Sequence, residues 1–171
     1  DILLWLSSDS LKNPFLKYDN LLSIDSDTIT IRPYDDIWED CKNFILLFDT
    51  DQSHKTKEAF DLYNEYLQLT GKNVFFTNYG GEFICGSRSN MHIFSLKCKE
   101  VIERLSSKGI KFTHGDETII SISAFESLTN IRIKSANPYT YRYWTDYRYR
   151  LLCTNYLHDG IAILHLPNEK K

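Results

Sequence analysis

The chain has 171 residues, of which 42% are hydrophobic, enough to bury one sizeable core and within the range of a single domain over 1–171. A formal net charge of -3 argues against the broad electropositive field that nucleic-acid backbones require, so no nucleic-acid partner is expected. No apolar run approaches the ~18 residues of a membrane span and no signal-peptide pattern is visible, so the chain is predicted to be soluble and cytoplasmic.

In chain order, Asp1 leads straight into Ile2-Leu3-Leu4-Trp5-Leu6, and the expectation is that further residues precede it. Residues 21–24 and 28–31 read as two short strands separated by the acidic kink Asp25-Ser26-Asp27 and stopped by Pro33. Residues 34–40, with Ile37 and Trp38, suit a turn or two of helix. The apolar run 44–48 reads as a strand buried on both faces, and it also ends in acid, at Asp49-Thr50-Asp51.

From 55 to 69 the positions Ala59, Phe60, Tyr63, Tyr66 and Leu67 recur at helical spacing, which predicts a surface helix with one buried stripe. Residues 74–76 and 83–85 then read as short strands around a turn at Asn78-Tyr79-Gly80-Gly81. A helix over about 90–105 follows, then one capped by Asp116 after His114-Gly115. Residues 131–134 and 161–165 are the last predicted strands. Strands alternating with helices predict an α/β fold: a mostly parallel mixed sheet flanked by helices on both faces. Cys41, Cys85, Cys98 and Cys153 show no Cys-x-x-Cys pairing and no His at zinc-ligand spacing, so they read as reduced, mostly buried thiols.

Ligands of an open α/β sheet gather beyond the carboxyl ends of its strands, where Asp25, Asp27, Asp49, Asp51 and His165 are all expected. Two carboxylates one residue apart at a kinked strand end can converge on one hard cation. Mg²⁺ or Mn²⁺ suits them, and a histidine ligand favours Mn²⁺.

The stretch from Tyr18 to Pro33 around Asp25-Ser26-Asp27, followed by Asp36-Ile37-Trp38, resembles the Asp-x-Asp segment of GT-A-fold glycosyltransferases, which have a Rossmann-like core. Further along, Asn78-Tyr79-Gly80-Gly81-Glu82-Phe83 is similar to that family's Asn-x-Gly turn and Gly115-Asp116-Glu117 to the acidic start of its next helix. His165-Leu166-Pro167-Asn168-Glu169-Lys170-Lys171 is similar to its terminal His-x-x-Gly-x-x-Lys, with Asn168 in the glycine position. The resemblance implies a metal-dependent enzyme that takes a sugar from a nucleotide-sugar donor, a UDP-sugar, to a glycan or other hydroxyl acceptor. Carried over, Asp27 and His165 would ligate the metal and Asp25 would reach the metal or the ribose. Ser26 would belong to the same nucleotide-binding motif, Gly80 and Gly81 would border the sugar, and Lys171 would face the diphosphate. Asp116 or Glu117 would stand near the acceptor hydroxyl, with Asp116 the first candidate base if the enzyme inverts configuration. The family has a βαβ region ahead of its Asp-x-Asp, whereas 24 residues precede Asp25 here, so the resemblance implies an upstream segment or a shortened variant.

Two other readings stay open. Phe48-Asp49-Thr50-Asp51-Gln52-Ser53 fits the opening of a haloacid-dehalogenase-like phosphatase, with Asp49 as nucleophile and Asp51 as acid/base, although Ile120 stands where that family has its second late aspartate. A non-catalytic carbohydrate- or nucleotide-binding module is the third. The ring-and-arginine segment 139–150 could stack on sugars or simply pack under its Arg stems, and the 11 Tyr predict some rings lining a cleft.

Overall fold

A computed structural model describes residues 17–50, 57–143 and 159–166. The described elements are β1 (Asn20–Ile24), β2 (Thr28–Thr30), α1 (Ile37–Cys41), β3 (Ile45–Asp49), α2 (Lys57–Thr70), β4 (Tyr79–Ser87), α3 (Arg88–Ser107), α4 (Asp116–Ser127), β5 (Ile133–Ser135), β6 (Thr140–Arg142) and β7 (Ile163–His165). They form an α/β chain with two sheets, one four-stranded in the order β1-β4-β3-β5 and one three-stranded in the order β2-β7-β6.

The direction of the strands departs from the sequence expectation. Only β3–β5 and β6–β7 run parallel, while β1–β4, β3–β4 and β2–β7 are antiparallel. The mostly parallel sheet is therefore replaced by a mostly antiparallel pair of sheets. The reason lies in β4, a nine-residue strand where the sequence predicted two short strands and a turn. It pairs antiparallel with both neighbours and occupies the centre of the larger sheet. Residues 74–76 are not a strand.

β3 explains why the core has two sides. Its alternating side chains split, Ile45 and Leu47 facing a cluster with Ile84, Met91, Phe94, Cys98 and Ile120, and Leu46 and Phe48 facing one with Ile37, Cys41, Phe83, Cys85 and Ile163. Period-two alternation with both faces apolar is what a central strand requires. Helices α3 and α4 cover the first face. On the second face lie α1 and the smaller sheet, so the expectation of helices on both faces holds there only for the short α1.

Cys41, Cys85 and Cys98 are buried free thiols, and burial pushes the Cys98 thiol up to about 12; Cys153 lies outside the described residues. α3 is capped by Ser87, whose Oγ accepts the Asn90 amide at 3.4 Å. At α4 the cap position belongs to Gly115, at φ 60°, with no side-chain cap, and Asp116 is the first helical residue instead of the cap.

The buried stripe of α2 is rotated from the predicted one. Ala59, Leu62, Tyr63, Tyr66 and Leu69 are buried with Phe76, Val101, Leu105 and Ile122, whereas Phe60 and Leu67 face solvent at 51% and 39% exposure. Leu62→Ala should therefore cost about 2–5 kcal/mol in urea unfolding, while Phe60→Gln should stay within about 0.5 kcal/mol of wild type. Equal losses would put the stripe back where the sequence pattern drew it.

Candidate metal centre

Register builds the site. In the smaller sheet Thr28 pairs with His165 and His165 with Arg142, so the residue after Asp27, the imidazole and a guanidinium stand in one row across three strands. The row is clamped by further backbone bonds: Leu166 N–H to the Asp27 carbonyl at 2.9 Å and Ile31 N–H to the Ala162 carbonyl at 2.8 Å. Arg32 adds a side-chain bond from Nε to the Ile161 carbonyl at 3.2 Å.

The acidic kink is held as tightly. The Asp25 carbonyl accepts the Thr28 amide at 3.3 Å and its hydroxyl at 2.8 Å, while the Asp25 amide donates to the Glu82 carbonyl at 3.1 Å. A Thr closing a turn onto the carbonyl three residues back is a local side-chain competitor of the strand ladder, and here it ends β1.

Asp25, Asp27 and His165 converge as a result: a ligand atom from each lies within 4.8 Å of the others. His165 Nε2 is 3.3 Å from Asp27 Oδ1 and 3.5 Å from Asp25 Oδ2. Asp27 and His165 have side chains only 8% and 6% exposed, while that of Asp25 is 42% exposed and opens the group to solvent. Ser26, between them, is exposed at the tip of the kink.

Behind the imidazole stands a group to which the sequence reading gave no role. Glu82 Oε1 lies 3.3 Å from His165 Nδ1, and the same carboxylate takes a bidentate pair from Arg142, Nε to Oε1 at 2.5 Å and Nη2 to Oε2 at 2.7 Å. Burial pushes the Glu82 carboxyl up, but the His165 hydrogen bond and the Arg142 charge outweigh it and hold the group at about 2. The guanidinium donating to both of its oxygens marks Glu82 as a carboxylate, which can only accept. Nδ1 of His165 must therefore carry a proton, and Nε2 is the atom left to serve a cation beside Asp25 and Asp27. A carboxylate fixing the tautomer of a ligating imidazole is the usual support of a metal-bound histidine.

Glu82 reaches this position through a bulge. Leu47 pairs with Ile84 but Phe48 pairs with Gly80, so residues 81–83 are extra on β4 and the strand is re-aimed at that point. Gly80 and Gly81 lie inside β4 instead of in a turn. Their smallness is required: a Cβ on Gly80 would lie 2.7 Å from Arg142 Nη2 and collide with the Glu82 carboxylate, and one on Gly81 would lie 2.5 Å from Asp116 Oδ2. Asp116 therefore sits over Gly81, and Glu117 Oε1 is 3.2 Å from Arg142 Nη2. Burial raises the Glu117 pKa, the Arg142 charge opposes that rise, and Glu82 adds to it. Arg142 also lies 5.2 Å over the Phe48 ring.

The structure thus brings Asp25, Asp27, His165, Gly80, Gly81, Asp116 and Glu117 into one connected neighbourhood. Lys171 and Asp51 lie outside the described residues, as does most of the ring-and-arginine segment. Asp49 closes β3 with its amide and carbonyl both bonded to the Asn137 side chain, at 3.0 and 2.8 Å. The missed residues had a signal. A glutamate between two glycines and an apolar run in a central strand must be met by donors if it is buried, and Arg142 in the ring-rich segment supplies two of them. No described helix is long and apolar enough to cross a membrane. Compared with protein-family models and with curated proteins, the sequence matches none.

The low Glu82 pKa fixes the sign of an acid effect. Its folded value of about 2 lies below the ordinary 4.5, so its contribution to stability is full above about pH 4.5 and is lost as pH falls toward about 2. Urea midpoints across that window should fall more steeply for wild type than for Glu82→Gln; parallel curves would remove the buried charge from the account. Glu82→Ala, which strips Arg142 of its bidentate partner, should cost about 3–5 kcal/mol.

Proposed function

We propose that the chain is the catalytic part of a metal-dependent GT-A-fold glycosyltransferase, moving a sugar from a nucleotide-diphosphate sugar, a UDP-sugar, to a hydroxyl acceptor. One observation carries this reading: Asp27 and His165, from opposite ends of the described chain, meet at 3.3 Å beside Asp25. The motif order that suggested a GT-A enzyme requires that meeting, and the chance approach of an early Asp-x-Asp and a late histidine would not.

The donor set fits a divalent ion of the Mn²⁺ or Mg²⁺ kind, since two carboxylates and one imidazole offer hard oxygens with a single nitrogen. Such an ion, when bound, would supply positive charge for the diphosphate that leaves. Glu82 and Arg142 hold the imidazole in the tautomer that can accept it, and the exposed face of Asp25 leaves the side from which a diphosphate can approach. Gly80 leaves room for the Glu82–Arg142 pair behind the imidazole, and Gly81 lets the Asp116 carboxylate lie close to β4.

In the transfer itself, the acceptor oxygen forms a bond to the anomeric carbon as the bond from that carbon to phosphate oxygen breaks, and the acceptor proton must go to a base. Asp116 is exposed, is held over Gly81 and is free of the Arg142 pairing that engages Glu117, so it takes that role. Lys171 would face the diphosphate by resemblance.

Incubation with Mn²⁺ and a panel of nucleotide sugars should release nucleoside diphosphate, and a generic phosphomonoester should yield no phosphate. Asp27→Ala should lower turnover by about 10²–10³-fold or more and abolish Mn²⁺-dependent nucleotide binding, with circular dichroism unchanged. Near-normal turnover in that variant would remove the metal assignment.

A further inference from the structure

A second buried carboxylate stands on α2. Glu65 is 4% exposed, and a charge so placed must be met by donors. Its Oε1 accepts the Thr113 amide at 2.6 Å and the Thr113 hydroxyl at 2.7 Å, and its Oε2 accepts the Thr118 hydroxyl at 3.0 Å. One turn earlier, on the same face of the helix, Asp61 Oδ2 lies 3.2 Å from His114 Nε2. The His114 hydrogen bond, with help from Lys57, holds the Asp61 carboxyl below its ordinary value.

These two acids grip both sides of a short segment. Thr113 and His114 precede Gly115, and Thr118 is the third residue of α4. Between the grip points stand only Gly115, Asp116 and Glu117. Gly115 adopts φ 60° and offers no side-chain cap, so the start of α4 has no local anchor of its own. A left-handed glycine joint does not fix Asp116 and Glu117 by itself, so their placement depends on contacts from outside the helix: Arg142 on Glu117 and the Glu65 grip on either side of the pair.

We infer that Glu65, assisted by Asp61, is a positioning residue: it sets where the acidic pair Asp116–Glu117 stands relative to the Asp25, Asp27 and His165 group, without touching substrate. The functional consequence rests on the transferase reading above; the mechanical one does not. Glu65 acts through hydrogen-bond geometry. A glutamine there keeps an oxygen for Thr113 and an amide able to donate to the Thr118 hydroxyl.

The test compares Glu65→Ala, Glu65→Gln and Thr118→Val in the full chain, the last removing a single contact in case Glu65→Ala does not fold. Mn²⁺ affinity, amide hydrogen exchange at residues 116–118, and kcat and donor KM for sugar transfer are measured on each. Glu65→Ala and Thr118→Val should exchange at least about tenfold faster at 116–118 while Mn²⁺ affinity stays within about twofold of wild type. Their kcat should drop by about 10–100-fold at unchanged donor KM, the signature of a displaced reacting group. Glu65→Gln should return kcat to within about threefold of wild type. Loss of Mn²⁺ affinity in step with kcat, or failure of Gln to rescue, overturns the inference, as does faster exchange with kcat unchanged. If wild type transfers no sugar from any donor, the transferase reading fails and exchange decides alone: unchanged protection at 116–118 then sinks the positioning role as well.

Discussion

The buried carboxylate of Glu82 is the constraint on which the rest of the site depends. It lies on a central strand, 2% exposed, and such a charge persists only with its lone pairs filled. Arg142 fills them from β6 and His165 from β7, so the smaller sheet is fastened to the larger one by charge as well as by the apolar contacts of Ile163 and Phe83. The same three residues set the tautomer of the imidazole. Once Glu82 is anionic, Nδ1 of His165 is a donor, and Nε2 is turned to Asp25 and Asp27 as a consequence.

The backbone features around Glu82 have the same origin. The β4 bulge gives the carboxylate its aim, the two glycines ahead of it clear space for the Arg142 guanidinium and the Asp116 carboxylate, and the Glu82 carbonyl anchors the amide of Asp25 where β1 breaks. Polar contacts run from Glu117 through Arg142 and Glu82 to His165, and Glu65 holds Thr118, the residue that follows Glu117 on α4. Polar networks of this kind confer a single geometry when every member is satisfied.

Much of this could be read from the sequence because it is local. Apolar runs gave β1, β3 and the strand ending at His165, and helical spacing gave α2, α3 and α4. The acidic kink follows from Asp25, Asp27 and Thr28 at a strand end. What could not be read is non-local. Strand direction depends on which distant segments pair, and β4 looked like two strands because Gly80 and Gly81 resemble turn residues when their partners are unseen. Phe60 and Tyr63 are equivalent in a helical pattern until the neighbouring helix selects one stripe. Glu82 and Arg142 each look like ordinary charged residues; only together do they form a buried pair. The strand-end rule for open sheets gathered Asp25, Asp27 and His165 together with Asp49 and Asp51, and the resemblance to GT-A enzymes singled out the Asp27–His165 pairing among them.

The central claim is that one cation is shared by Asp25, Asp27 and His165, and crystals soaked with Mn²⁺ and UDP test it most directly. Anomalous scattering should reveal one manganese peak within bonding distance of both carboxylates and His165 Nε2, with diphosphate oxygens completing its shell. A peak elsewhere on the molecule, or an empty triad at saturating Mn²⁺ and nucleotide, would contradict it.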